Sequence, residues 1–208
     1  MSSWTRENFE AIGLTQSPPG PHLPALQARH AGDVLLCIDV SGSMSGRPLE
    51  QAVKGGVRFL EEARTAHYRC GLVLWGSKVN VHVPIGTPHD TLVKRLRSAT
   101  IRGGTDIVPA LKLAITEFAD RTNDKVLCIF SDGGLTNRGQ AIRLSQELCA
   151  MGVRIVVRGL GTEVAATLTR LQCPGTEQDR TTIPDVESLD KGIAAMANSL
   201  TTTRKDRR

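Results

Sequence analysis

Apolar runs and amphipathic stretches alternate along most of this chain. Val34–Val40 (Val-Leu-Leu-Cys-Ile-Asp-Val) is a continuous apolar run, which predicts a strand buried on both faces. Leu49–Ala63 places apolar residues at 49, 53, 57 and 60, the spacing of an amphipathic helix, with Pro48 suited to its first turn. Gly71–Gly76 reads as a second strand. Val79–Ile85 alternates as an edge strand after a tight turn at Ser77-Lys78. Asp90–Ser98 predicts a helix with Leu92, Val93 and Leu96 inward, and Asp106–Ala119 another after Gly103-Gly104. Lys125–Phe130 and Val153–Val157 are further buried strands. Gly139–Met151 is helical, with Gly152 as its C-terminal cap, and Val164–Leu171 and Ser188–Leu200 are the last helices. This order predicts an α/β fold: a doubly wound, mostly parallel sheet with one antiparallel edge strand and helices on both faces.

Three polar segments interrupt that pattern: Asp39-Val40-Ser41-Gly42-Ser43, Gly103-Gly104-Thr105-Asp106 and Ser131-Asp132-Gly133-Gly134. Open sheets of this kind bind ligands beyond the carboxyl ends of their strands. Asp39 ends the first strand and Asp132 follows the strand Lys125–Phe130, so both belong to one sheet edge. Thr105 reaches that edge on the loop before its helix. Asp39, Ser41, Ser43, Thr105 and Asp132 form an all-oxygen donor set. Such donors suit a hard divalent cation, Mg2+ first, with Mn2+ or Ca2+ as alternatives. Three neutral hydroxyls leave a metal incompletely neutralised, so it keeps water or takes an acidic group from a partner. Asp39 and Ser41 taken alone would read as strand-end capping. Asp106 reads as a helix cap rather than a ligand.

The Asp-x-Ser-x-Ser, Thr and Asp pattern, with 66 residues from Asp39 to Thr105 and 27 more to Asp132, resembles the metal-ion-dependent adhesion site of von Willebrand factor A (VWA) domains. The resemblance runs from about Asp33 to Leu200. It implies a Rossmann-like VWA fold in which Ser41, Ser43 and Thr105 touch the metal, while Asp39 and Asp132 act through water or the hydroxyls. It also implies that the last helix can shift when the metal changes ligands. Ser131 stands where that family commonly has Thr. Among VWA proteins the chain is similar to free-standing prokaryotic ones, including the tellurium-resistance-associated group. That likeness implies an adaptor for an AAA+ ATPase, kinase or phosphatase in a stress-response, metal-resistance or defence system. The partner-facing rim falls to Met44, Ser45, Arg47, Arg102, Leu135, Asn137 and Arg138. Its arginines are either exposed loop residues or complements to an acidic partner.

Composition narrows the setting. At 208 residues the chain suits one domain, 33–200, with an extension or linker at 1–32 and a basic tail at 201–208. The extension holds Trp4, Phe9, Ile12 and Leu14, followed by the proline-rich Ser17–Pro24 connector. Net charge is +5, but Arg204, Lys205, Arg207 and Arg208 against Asp206 place three of those charges in the tail. The body is near neutral and aromatics are 3% of residues, which argues against nucleic acid. Five cysteines, an odd number without C-x-x-C spacing, imply no disulfide framework and favour a reducing, cytoplasmic setting. Cys37 and Cys128 lie in apolar runs, as small buried hydrophobes. No apolar run approaches a membrane span and Met1–Glu10 lacks a signal sequence. The five histidines show no zinc spacing, and Trp75 reads as packing.

Two other functions can be weighed against a protein-interaction module. A metal-dependent hydrolase or phosphatase lacks support: Gly42–Gly46 has Met where G-x-S-x-G needs Ser, no P-loop occurs, Asp39-Val40-Ser41 lacks a second aspartate, and the three segments hold no histidine base. An RNA-associated VWA protein would need a stacking platform that the sequence does not offer. The chain therefore reads as a non-enzyme.

Overall fold

The computed structural model describes residues 32–175 and 181–200. The extension and the basic tail read from the sequence lie outside the described residues, apart from Gly32. Six strands form one sheet: β1 (Gly32–Asp39), β2 (Tyr68–Trp75), β3 (Val79–Val83), β4 (Lys125–Ser131), β5 (Val153–Leu160) and β6 (Thr182–Ile183). Their order is β3-β2-β1-β4-β5-β6, and only β3 runs antiparallel. The expected strands and edge strand are present. β6 was not expected: two residues are too few for periodicity, and the strand exists through backbone pairing to Gly159 and Leu160.

β1 is buried along its whole length. Val34, Leu36 and Ile38 face one apolar layer, and Leu35 and Cys37 the other. The first layer packs against α1 (Arg47–Thr65) and α2 (His89–Arg97); the second packs against α3 (Val108–Phe118), α4 (Arg138–Ala150) and α5 (Thr162–Thr169). Pro48 lies in the first turn of α1, and Gly152 adopts φ +77° just past α4, as the sequence implies. The buried stripe of α1 is offset from the expected one. It runs through Ala52, Gly55, Gly56, Phe59, Leu60 and Ala63, with Leu49, Val53 and Val57 at its flank. The small residues admit a neighbour: a Cβ on Gly55 would lie 2.6 Å from the Asp190 carbonyl oxygen.

That neighbour is the last helical segment. One helix was expected over Ser188–Leu200. The segment instead opens with a 3-10 turn (Val186–Ser188), continues as α6 (Leu189–Ala194) and tightens to 3-10 again at Ala195–Ala197. The Asp185 side chain caps its start by accepting from the Ser188 N–H at 2.8 Å.

The cysteine expectation needs correction. Cys149, in the last turn of α4, and Cys173, after α5, form a disulfide with Cα atoms 5.5 Å apart. The chain turns at Gly152, crosses β5 and returns through α5, so 24 residues of sequence bring the two together. The setting inferred from an absent disulfide framework loses that support. Cys37, Cys70 and Cys128 are free and buried, and burial raises all three thiols, Cys70 and Cys128 to about 12. Among the described residues no helix is long and apolar enough to cross a membrane.

Candidate metal centre

The strand order reverses at β1. The chain leaves β1 for β2 and β3 on one side, then returns to β4 on the other. The crevice beyond the carboxyl ends of β1 and β4 is therefore the place where this topology puts a ligand. The Asp39 and Asp132 loops both open there.

Asp39 is the fully buried last residue of β1. One carboxylate oxygen accepts the Ser41 N–H at 2.8 Å, and the other accepts the Ser131 hydroxyl at 2.6 Å. Burial pushes its carboxyl up to about 6. The bonds from Ser131 and Ser41 restrain that rise, and the charge of Asp132 adds to it. Ser41 is buried and its Oγ lies 3.2 Å from that of Ser43. Ser43 donates to Asp132 at 2.8 Å, which leaves Ser41 as the donor to Ser43. Asp132, half-buried, is also raised, first by burial and against the Ser43 bond.

Thr105 completes the set. A Cβ on Gly133 would stand 3.3 Å from the Thr105 Oγ1 and 3.6 Å from the Ser43 Oγ. Both hydroxyls thus face one cradle that any side chain at 133 would fill. Among the described residues no Lys, Arg or His forms an ion pair with Asp39 or Asp132. Two carboxylates raised by burial and paired with no cationic side chain among the described residues, beside three hydroxyl oxygens, fit a small hard cation. No group of three His, Cys, Asp or Glu side chains among the described residues could hold a metal, so hydroxyls are essential to any centre here.

The Thr105 loop belongs to no strand and is held by its neighbours. Arg102 N donates to Val40 O at 2.7 Å and Gly42 N to Gly103 O at 3.2 Å. Gly104 N donates to the Ser77 hydroxyl at 2.6 Å, and Asp106 N to Gly76 O at 3.0 Å. Asp106 does cap α3, accepting Val108 N at 3.0 Å. Thr136 N also donates to the Thr105 carbonyl at 3.0 Å, and no sequence motif marks Gly76, Ser77 or Thr136 as functional. Their roles depend on loops meeting in space, and no local signal carries them.

The expected rim is partly overturned. Met44 is fully buried and Leu135 nearly so. Gly42–Met44 forms a 3-10 turn, in which residues three apart share a face, so Met44 follows buried Ser41 inward while Gly42 and Ser43 stay exposed. Arg47 pairs with Glu187 at 2.5 Å, Arg138 folds back onto the Leu135 carbonyl at 3.1 Å, and Asn137 donates to Asp106 at 2.8 Å. Ser45, Arg47, Arg102, Asn137 and Arg138 are all exposed.

The family model of the von Willebrand factor type A domain matches residues 34–135. A von Willebrand factor A domain-containing protein of Dictyostelium discoideum is 23% identical over 168 residues, which is 77% of this chain and 18% of that protein. The chain thus spans less than a fifth of that relative. Among solved structures, the vWF domain of the type V pili tip protein Mfa5 from Porphyromonas gingivalis superposes with a TM-score of 0.70 at 14% identity, over 84% of this chain and 96% of that one. BatB from Bacteroides thetaiotaomicron gives 0.68 at 17% identity, over 82% and 98%. The pilus adhesin SpaC from Lactobacillus rhamnosus GG gives 0.68 at 13% identity, over 82% of this chain and 30% of its own. The chain is thus similar to the von Willebrand factor type A domain over residues 34–135, and it shares the fold of the Mfa5 vWF domain.

Proposed function

We propose that this chain is a protein-interaction module that holds Mg2+ at Asp39, Ser41, Ser43, Thr105 and Asp132 and offers it to an acidic side chain of a partner protein. The carrying observation is the convergence of these five side chains from three loops on a cradle kept open at Gly133. When bound, the cation would supply a positive Lewis-acid centre for a carboxylate. The chain's own residues do the rest. Asp39 is fixed by Ser41 and Ser131, so it orders the first loop; Ser43 and Asp132 tie that loop to the one after β4. Exposed Arg102 lies in the Thr105 loop and adds attraction for an anionic partner. The known neighbours include a pili tip protein and a pilus adhesin, in keeping with a binding rather than a catalytic role.

The test is retention of partners on the immobilised full chain in Mg2+ and in EDTA, beside Mg2+ titration by calorimetry. Wild type should bind Mg2+ and retain a partner only with the metal; Thr105→Ala and Asp132→Asn should lose both while keeping the wild-type melting transition. A partner held equally in EDTA would move the function away from this site.

A further inference from the structure

We infer that Thr136 and Asn137 are positioning residues, forming a clasp that sets Thr105 against Asp132. The inference rests on the proposed metal centre and says which residues preorganise it. Thr105 and Asp132 come from loops with no shared strand, and the hydroxyl facing the Gly133 cradle must be placed to within a fraction of an ångström. Thr136 supplies two bonds to one acceptor: its N–H and its hydroxyl both reach the Thr105 carbonyl at 3.0 Å. Asn137 supplies the third, its amide donating to one oxygen of Asp106 at 2.8 Å, while the other oxygen of Asp106 accepts Val108 N at 3.0 Å. One carboxylate thus joins the start of α3 to the start of α4.

Asn137 is built for this task. It has φ +52°, a left-handed conformation that Asn tolerates better than most side chains, and it immediately precedes α4. A residue facing a partner has no need of that backbone, whereas a residue turning its amide back across the crevice does. The other supports of the Thr105 loop come from the ends of β1 and β2. The clasp is what connects that loop to the side of the crevice that carries Asp132.

The test uses the full chain and Mg2+ alone as probe. Asn137→Gly keeps the positive φ and removes the amide. The exchange Asp106→Asn with Asn137→Asp reverses the hydrogen bond, leaves the net charge unchanged and keeps an oxygen for Val108 N. The glycine variant should bind Mg2+ roughly three- to tenfold more weakly, the effect of losing one hydrogen bond, and the exchanged pair should return to within about twofold of wild type. A glycine variant with wild-type affinity, or an exchanged pair as weak as the glycine variant, overturns the clasp. Amide hydrogen exchange separates this outcome from failure of the metal reading. Without any metal, Asn137→Gly should speed exchange in 103–107 and 133–136 together. Faster exchange confined to 133–136 overturns the coupling even if wild type binds no metal.

Discussion

Gly76→Ala tests whether the Thr105 loop is set by backbone contact with the end of β2. A Cβ at 76 would stand 1.9 Å from the Arg102 carbonyl oxygen and 3.1 Å from both the Arg102 carbonyl carbon and the Gly104 oxygen. Real Cβ contacts essentially never fall below 3.0 Å, so the loop must retreat by about 1 Å. Every crowded atom is backbone, and no side chain can swing away. Retreat stretches the bonds from Arg102 N to Val40 O (2.7 Å) and from Gly104 N to the Ser77 hydroxyl (2.6 Å). Two such bonds contribute about 1 kcal/mol each, and the overpacking adds about 1–3 kcal/mol. The stiffer unfolded chain of alanine returns up to about 1 kcal/mol. The net expectation is a loss of roughly 2–5 kcal/mol, or about 4–20 °C in melting temperature for a domain of this size.

Gly42→Ala is the internal control. It lies in the first site loop, has no positive φ, and a Cβ there meets nothing within 4 Å. Urea unfolding should place Gly42→Ala within about 0.5 kcal/mol of wild type and Gly76→Ala well below it, with Mg2+ binding weakened only in the latter. Equal stabilities for the two variants would refute the reasoning.

Two further predictions concern the frame. Asp190, almost fully buried, is paired with Lys54 at 3.2 Å and Arg58 at 3.6 Å and accepts Lys191 N at 2.8 Å. Burial opposes its charge, yet these partners prevail and its carboxyl is lowered. A lowered carboxyl contributes stability above its unfolded pKa of about 3.9 and loses it as the pH falls through the folded value. Asp190→Asn should therefore cost about 1–2 kcal/mol at pH 7, with the gap to wild type closing in melts run progressively below about pH 4; a gap unchanged across that range would count against the pairing. Reduction of Cys149–Cys173 opens a loop closed across a sequence separation of 24. It should lower stability by roughly 3 kcal/mol and raise the thiols titrated in denaturant from three to five; five thiols before reduction would show that the bond does not form.

Sequence legibility followed the range of the physics. The four long parallel strands could be read because burial on both faces leaves a continuous apolar run, as in Val34–Ile38 and Val126–Phe130. The three site loops could be read because Asp, Ser, Thr and Gly cluster at strand ends for local chemical reasons. Met44 misled because its side depends on a 3-10 turn, and a three-residue turn has no periodic signature. Arg47, Asn137 and Arg138 are exposed, as loop polarity suggests, but each already has a partner within the fold. A polar residue in a loop looks available to a partner, yet its hydrogen-bonding capacity can be taken up by Glu187, by Asp106 or by the Leu135 carbonyl, none of which the local sequence reveals. β6 and the disulfide are likewise products of chain segments that meet only after the β5 crossover.

The last helical segment carries the consequence furthest. The family resemblance implies that it can shift when the metal changes ligands, and the contacts here say what such a shift must overcome. Glu187 holds Arg47, close to the first site loop; Asp190 holds Lys54 and Arg58 midway along α1; the Ser199 carbonyl accepts from Arg154 at 3.0 Å, and the Leu200 carbonyl lies 3.0 Å from the Tyr68 hydroxyl, whose one proton it shares with Asp124. The exposed Arg47 pair contributes at most about 1 kcal/mol, the Asp190 cluster about 1–2 kcal/mol and the two carbonyl bonds about 1 kcal/mol each. Gly55 adds a steric register, since only the absent Cβ lets the Asp190 backbone sit where it does. A ligand that moved the segment by a helical turn would have to offset about 4 kcal/mol, and so bind the shifted state roughly a thousandfold more tightly than the resting one. A single carboxylate meeting a metal could supply that only if the new register regained most of these contacts, so a shift, where it occurs, must re-pair Glu187 and Asp190 rather than release them.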